Sequence, residues 1–530
     1  MVDTLALTLL WVLPLASAVG MALWPRAAGV RLLQLKALGV SVVMTGLTLW
    51  LGPQVLGSSS EWPLSIQIPW IPSFGVSYAL SLDALSFVLI LLNNVLTLLV
   101  VLISPLWIQQ HEKSYYAFLF FLQAAVNGSL LATDLILFYI FWEVMLIPMA
   151  FLIGIFGSEQ RLAAAMKFFL YTMLGGLTML VAIIGTAWTV AGDFNEISFA
   201  YDQMLQFPQT HPWAGVFFAC MALAFFIKIP LFPFYTWLPD AHTEAPAGGS
   251  VMLAGILLKL GVYGLIRFVM PIYGVVFMHS AALWALLGTV GVIWGGLLAW
   301  SQKDIKRLIA CSSVSHMGFV VLGLFSGSLL ALRGSLFQLI AHGLSTGALF
   351  CMIGIMYQRT HSRKLESYGG LAEVAPQFAY FFIFFALASA GLPGLSGFIG
   401  EFLILIGSFK YAPWLTAVSS LGVLLSAIYL LGLVQGVCFG PKKEELHFPD
   451  LNWREKVVLW PLALSIVVLG IYPTLTLRCF DPVVEKTSAY LWSVPAPLSI
   501  PEPEAEGDIN LTQGAASKLL ADRQVAGVLQ

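Results

Sequence analysis

Four charged residues stand deep inside apolar runs. Glu143 lies in FYIFWEVMLIP (138–148), Lys228 in FFIKIPLFP (225–233), Lys259 in AGILLKLGVYG (254–264), and Glu401 ends GLPGLSGFIGE (391–401). A charge at a bilayer centre costs roughly 2.5–3.5 kcal/mol on insertion scales, so such residues mark ion or proton pathways by default. A buried lysine beside a carboxylate that moves can load and release a proton. The residues alone leave other readings open. Ion pairs locking two helices would explain Glu143 and Lys259, snorkelling to an interface would explain Lys228, and a carboxylate at a helix start would explain Glu401.

The local backbone favours the pathway reading. Pro230 and Pro233 lack an N–H and free the carbonyls of Phe226 and Ile229, so the helix carrying Lys228 is predicted to break there. Pro148 frees the carbonyl of Val144 beside Glu143. Pro393 frees that of Ser389, and the glycines before Glu401 permit unwinding. Broken helices occur at membrane depth where backbone lines a polar cavity. His316 and His342 have small polar neighbours in consecutive apolar runs; imidazole passes protons near neutral pH, so both are candidate relays, with hydrogen-bonded packing as the other reading. Asp83 and Asp134 stand at run starts and read as helix caps. His242 and Glu244 line a vestibule or are solvated.

The elements that must position these residues are membrane spans. Of 530 residues, 59% are hydrophobic and only 10% charged, against about 25% charged in soluble domains. That balance excludes a soluble multidomain enzyme. The net charge of −2 supplies no basic field for nucleic acid. Five scattered cysteines (Cys220, Cys311, Cys351, Cys438, Cys479) show no CxxC, haem-attachment or iron–sulfur spacing and read as small buried hydrophobes. No phosphate-binding GxxxxGK[ST] loop is present, and no GxGxxG between strand and helix, which argues against an ATP-driven or flavin-bearing chain. The first apolar run is too long for a signal-peptide core and reads as a retained span.

About fourteen apolar segments are predicted to span, at 4–24, 33–53, 80–106, 114–132, 134–156, 164–190, 211–234, 245–272, 279–300, 308–326, 332–357, 375–411, 414–439 and 456–474. The fold class is therefore an all-α polytopic membrane protein. Lysine and arginine concentrate in the odd-numbered connections: Arg26 and Arg31, Lys113, Arg161 and Lys167, then Lys303, Lys306 and Arg307, then Arg359, Arg363 and Lys364, then Lys442, Lys443, Arg454 and Lys456. Positive loops resist translocation, which puts these on the cytoplasmic side and both termini on the other. The connection after the seventh segment is neutral to acidic, and Lys410 is the exception among even-numbered connections. Lys228 in the seventh segment and Glu401 in the twelfth lie five spans apart. An odd offset inverts the topology, which predicts two inverted five-helix repeats, each with a broken helix. The expected divisions are 1–110 (three helices with an outer loop at 54–79), 111–275 and 276–440 (the repeats), 441–474 (the last span) and 475–530. That last segment is a proline-rich, then acidic tail, disordered or draped on the outer surface, with a short helix at about 510–528.

These stretches resemble a known family. KIPLFPFYTWLPDAHTEAPAGGSVMLAGILLK (228–259) followed by LGVYGLIRF is similar to the signature of the proton-translocating, antiporter-like subunits in the membrane arm of respiratory complex I. FYIFWEVMLIPMAFLIGIFG (138–157), KFFLYTMLGG (167–176), SSVSHMGF (312–319), IAHGLSTGALF (340–350) and LASAGLPGLSGFIGEFL (387–403) match as well, so the resemblance spans about 80–450. Glu401, where chain 2- and chain 5-like subunits use lysine, and the lack of a long lateral amphipathic helix resemble the chain 4 type (bacterial subunit M). The resemblance implies that Glu143 pairs with Lys228, that Lys259 is the central carrier and Glu401 the exit-side acceptor, and that His316 and His342 bridge them. Tyr235 departs from the family's usual histidine; a phenol there can still hydrogen-bond in a water chain. The resemblance further implies NADH:quinone oxidoreductase partners in the membrane and peripheral arms. FMN, iron–sulfur clusters and quinone would lie in those partners and no cofactor in this chain. It implies a bacterial inner membrane, with thylakoids as the alternative.

Moving one charge against 100 mV takes about 2.3 kcal/mol, and nothing in the sequence supplies it. Partners or a second ion gradient must. The competing readings are thus a subunit of a multisubunit Na+/H+ antiporter, a haem b electron-transfer protein with His316 and His342 as axial ligands, and a structural scaffold.

Overall fold

The computed structural model describes residues 2–25, 29–58, 60–193, 197–443 and 447–492. Arg26 and the expected helix at 510–528 lie outside them. Helices α1 (Val2–Ala22), α2 (Val30–Leu56), α3 (Ala84–Trp107) and α4 (Glu112–Leu131) form an N-terminal bundle, with α1 packed along α4 and α2 along α3. The expected span 134–156 is two helices, α5 (Leu135–Val144) and α6 (Leu146–Phe156), interrupted at Met145 beside Glu143, as Pro148 requires. Then come α7 (Arg161–Ala191), α8 (Ala214–Lys228), α9 (Trp237–Glu244) and α10 (Ala247–Ile272). The second half comprises α11 (Gly274–Trp300), α12 (Ile305–Phe325), α13 (Leu329–Thr360), α14 (Pro376–Ser389), α15 (Ser396–Phe409), α16 (Pro413–Cys438), α17 (Trp453–Ile471) and α18 (Thr474–Trp492).

Every predicted segment falls on helix, but not every one is long. Among the described residues, eleven spans are long and apolar enough to cross a membrane, counting α5 and α6 as one; a twelfth counts α17 and α18 together, which meet at a 69° bend. The shortfall from fourteen lies at the breaks. α8 stops at Lys228, and the single run 375–411 becomes the two short helices α14 and α15.

Two further segments differ from expectation. The connection at 54–79 contains strand β1 (Leu64–Ile71), paired antiparallel with β2 (Val76–Leu82). The alternation of Leu64, Ile66 and Ile68 builds it, and Gly75 turns it at φ +67°, a left-handed conformation glycine adopts without steric cost. Because β2 runs to Leu82, α3 begins at Ala84 and not at residue 80. The tail, expected to be disordered or draped on the outer surface from about 475, begins as the ordered helix α18. Leu477, Phe480, Val483 and Val484 place an apolar stripe on that helix, which packs against α3, α10 and α13 despite Pro482.

Asp83 and Asp134 are caps as predicted. Asp83 accepts from Ser86 N at 2.9 Å; Asp134 accepts from Ile136 N at 3.0 Å and Leu137 N at 3.1 Å, and also from Ser77 N of β2 at 2.9 Å. Asp83 additionally holds Arg267 of α10 in a buried ion pair.

Candidate functional site

The first broken helix forms where the prolines demand it. α8 ends at Lys228, the chain turns through 229–236 with a cis Phe232–Pro233 peptide, and α9 follows. The freed acceptors are not all those expected. Phe226 O is taken by Leu231 N at 3.0 Å, while Ile227 O accepts from the Trp237 indole at 2.9 Å, so a side chain closes the break.

Lys228 is 1% exposed, and its Nζ has no hydrogen-bond partner among the described residues. It stands 5.1 Å from the Trp142 ring centroid and 5.7 Å from that of Phe168. These cation–π contacts stabilise a desolvated ammonium by an estimated ~2 kcal/mol. Glu143, next to Trp142, is only partly buried, with Oε1 unpartnered, and Gly176 of α7 lies where a Cβ would overlap that oxygen. Glu143 and Lys228 form no ion pair within 4.0 Å, so the pair that the resemblance implied is not closed in this conformation.

Lys259 sits at the centre of α10, whose residues from Gly248 to Ile272 are all buried. Two π-helical turns flank it, Leu253–Leu257 and Leu265–Val269. Such turns widen the hydrogen-bond ladder and recur at functional sites. Here the Ala254 carbonyl, in the first of them, accepts from the Lys259 ammonium. Nζ also lies 2.8 Å from Nδ1 of His342 on α13. The locking ion pair considered for Lys259 is absent among the described residues.

From His342 the chain of titratable groups continues. Its ring centroid is 5.6 Å from that of His316 on α12. Nδ1 of His316 lies 2.7 Å from Oε1 of Glu401 on α15. The second break positions Glu401: Gly391 and Gly394 take φ +81° and +91°, reversing the chain between α14 and α15 and setting the carboxylate in the second turn of α15, 4% exposed. Gln338 donates to Glu401 Oε1 at 3.1 Å, and the Tyr429 hydroxyl lies 3.5 Å from His316 Nε2. Lys259, His342, His316 and Glu401 thus form one lateral file across the middle of the protein. Neighbouring members touch by hydrogen bond or ring contact, and any of them can hold and pass a proton.

Other candidates lie apart from this file. The Tyr235 hydroxyl accepts from Trp294 Nε1 at 2.6 Å, in a partly exposed position beyond the first break. His242 is neither solvated nor facing open water: it is 0% exposed and stacked 4.7 Å from the ring of Phe350 on α13. Glu244 is 8% exposed and accepts from Gln160 N at 3.0 Å. The sequence reading missed Gln338 and Tyr429. Gln338 precedes His342 by four residues on the same helix, a spacing that shares a face and could have revealed it; Tyr429 carried no comparable signal. Among the described residues, no three His, Cys, Asp or Glu side chains are placed to hold a metal ion.

The fold and the file define a polytopic helical membrane protein with a buried chain of titratable side chains joining two broken helices. Residues 132–428 match the family described as "NADH:quinone oxidoreductase/Mrp antiporter, TM". The chain is 40% identical over 444 residues to NADH-quinone oxidoreductase subunit M of Pseudomonas aeruginosa, covering 83% of this chain and 86% of that one. It is similar to a chain of respiratory complex I from Thermus thermophilus (31% identity, TM-score 0.83, covering 92% and 99%). It shares its fold with a chain of the Mrp complex from Dietzia (21% identity, TM-score 0.81, covering 93% and 100%). The chain belongs to the NADH:quinone oxidoreductase/Mrp antiporter transmembrane family.

Proposed function

We propose that this chain is the proton-translocating, antiporter-like membrane subunit of a bacterial NADH:quinone oxidoreductase. The observation that carries the reading is the continuous, buried file Lys259–His342–His316–Glu401. Glu143 and Lys228 lie at the other broken helix, and movement of one toward the other changes how readily Lys228 keeps its proton. Helices 111–275 and 276–440 act as inverted halves, each contributing one break and one central group. Electrons pass from NADH to quinone through FMN and iron–sulfur clusters held by partner subunits of the membrane and peripheral arms, and that chemistry drives proton movement here. The protein works in the bacterial inner membrane with both termini outside the cytoplasm, as the lysine and arginine distribution favours. The 40% identity to a subunit M supports this reading over a Na+/H+ antiporter subunit. The two imidazoles that a haem b reading would need as ligands stand side by side within the file.

The test is Lys259→Ala in the assembled complex, with proton uptake by inverted membrane vesicles followed during NADH oxidation. Proton pumping falls if the reading is right; full pumping with normal assembly would refute it. Copurification with flavin and iron–sulfur subunits separates this assignment from the antiporter.

A further inference from the structure

Three helices meet where Lys259 faces His342, and the third, α3, carries no titratable side chain at all. It packs against both α10 and α13. Along α3 the run Leu92-Asn93-Asn94-Val95-Leu96-Thr97 divides by face. Residues 92 and 96 lie one turn apart and share a face, while the two asparagines point elsewhere. At Gly255, inside the first π-helical turn of α10, a Cβ would overlap Leu96 Cδ1; at Gly347 of α13 it would lie 3.6 Å from Leu96 Cδ2. At Gly343, next to His342, a Cβ would lie 3.0 Å from Leu92 Cδ2, 2.9 Å from the Gly255 carbonyl and 3.6 Å from Lys259 Cε. Both leucines are buried, and they occupy the space that the glycines leave at the α10–α13 crossing. Small residues let membrane helices approach closely. Here that approach brings Lys259 Nζ to 2.8 Å from His342 Nδ1. The π-turn against which Leu96 packs is also the one whose Ala254 carbonyl accepts from Lys259.

The amides between the leucines fix how α3 is turned. Asn94 Nδ2 donates to the Thr48 hydroxyl of α2 at 2.8 Å, and Asn94 Oδ1 accepts from Gln123 and Asn127 of α4 at 2.7 and 3.1 Å. Asn93 Nδ2 donates to Asn127 Oδ1 at 2.8 Å. Asn127 in turn donates at 2.8 Å to the Leu10 carbonyl of α1, which Pro14 leaves without its helical donor. All these amides are fully buried. Hydrogen bonds between side chains hold membrane helices to one another, and this set ties α3 to α2 and α4 while the leucines face α10 and α13.

We propose that Leu96, backed by Leu92, is a positioning residue for proton transfer between Lys259 and His342, and that the amide cluster holds it in place. The proposal rests on the proton-translocating reading above. Neither leucine exchanges a proton. Protein interiors are close-packed, so a void or an excess of volume at residue 96 is passed on to the π-turn and the crossing. A misplacement of about 1 Å in a reacting contact can cost about 10²-fold in rate.

The test uses the assembled complex in inverted vesicles, with NADH-driven proton uptake normalised to NADH oxidation by the peripheral arm using an artificial acceptor. Leu96→Ala leaves a void beside Gly255, and Gly255→Ala overfills the same space; each is expected to lower normalised pumping roughly tenfold. The double variant puts the new methyl where Leu96 was, 3.9 Å from the Gly343 carbonyl, and is expected to pump within about twofold of the parent, as is the volume-conserving Leu96→Met. Asn94→Leu keeps the bulk, removes the anchor and should lower normalised pumping several-fold. A leucine with a packing role alone would lower abundance and melting temperature and leave normalised pumping at the parent level, which overturns the proposal. A double variant no better than the singles overturns it too, and parent-level pumping by assembled Asn94→Leu overturns the anchoring role. Should Gly255→Ala fail to assemble, Leu96→Ala against Leu96→Met decides. Lys259→Ala separates the two ideas: if it abolishes pumping while the leucine variants do not, the file stands and its positioning lies elsewhere.

Discussion

Nζ of Lys259 lies 2.8 Å from Nδ1 of His342, and no carboxylate comes within 4.0 Å of it among the described residues. The other end of the same file is the reverse: Glu401 is held by an imidazole and an amide, with no lysine or arginine in ion-pair contact among the described residues. One end can carry a positive charge and the other a negative one, both in a medium that solvates neither. Passing a proton from the Lys259 ammonium to the Glu401 carboxylate neutralises both ends at once and removes two desolvation costs. Recharging them requires a proton to arrive at Lys259 and one to leave Glu401. The file is therefore suited to directional exchange between opposite faces and poorly suited to storing charge.

Breaking the contact at either partner should stop transfer without unfolding the bundle. Lys259→Ala removes the proposed proton carrier, and His342→Ala removes its proposed receiver. Each is expected to lower proton pumping by about 10²-fold, the scale of one acid–base station. The measurement is dye-reported acidification of inverted vesicles, normalised to assembled complex. His342→Ala with undiminished pumping would show that protons bypass the imidazoles.

At the far end, charge and hydrogen bonding can be separated. Glu401→Gln retains an acceptor for Gln338 and His316 but cannot hold a proton, so assembly should be normal and pumping lost. Glu401→Ala leaves two buried donors unsatisfied, at about 1–3 kcal/mol each, and should also lower the thermal stability of the complex. Equal melting temperatures for the two variants would mean that the Gln338 and His316 contacts contribute nothing to folding.

How much of this was legible beforehand depended on whether the cause was local. Spans follow from apolar runs of about 20 residues, and both breaks follow from prolines and glycines that act on their own backbone, so Lys228 and Glu401 could be placed beside breaks from sequence. The strands at 64–82 were obscured by Pro69 and Trp70, which hide a period of two; α18 was obscured by Pro482 and its charged residues. The partners in the file were beyond local reasoning: Lys259 and His342 are 83 residues apart, and only the packing of α10 against α13 decides which side chains meet. The same holds for Glu143 and Lys228, implied as a pair by resemblance yet not in ion-pair contact. His242 was misjudged because a histidine between Ala241 and Thr243 carries no sign of which face α9 buries.

A second buried ion pair, between α13 and α17, lies apart from the file. Arg359, at the end of α13, donates to Glu455 Oε2 at 2.8 Å and Oε1 at 3.1 Å, with side chains 9% and 1% exposed. Glu455 also caps α17 with Asn452. Arg359→Ala strands a buried carboxylate, at about 3–5 kcal/mol. Its expected result is low membrane abundance and a reduced melting temperature. Wherever folded complex survives, the proton-to-electron ratio should be unchanged, because neither residue touches the file. A changed ratio at normal abundance would contradict that separation.

The helix bearing Lys228 and the helix bearing Lys259 meet through glycines. At Gly264 a Cβ would overlap the Phe225 ring, and at Gly261 it would press on Ile229 and on the Phe225 carbonyl. Phe225 lies three residues before Lys228 on the same helix, so the α8–α10 distance near both lysines is set by these two missing side chains. Gly264→Ala forces the ring or the helix to move, and overpacking of this kind costs about 1–3 kcal/mol. Because the displaced contact joins the two lysine-bearing helices, the loss should appear in function as well as stability: lower pumping per assembled complex, with NADH oxidation by the peripheral arm using an artificial acceptor unaffected. Phe225→Leu, which frees space beside residue 264, should restore pumping in the double variant. No recovery there would mean that close approach of these helices is not what couples Lys228 to Lys259.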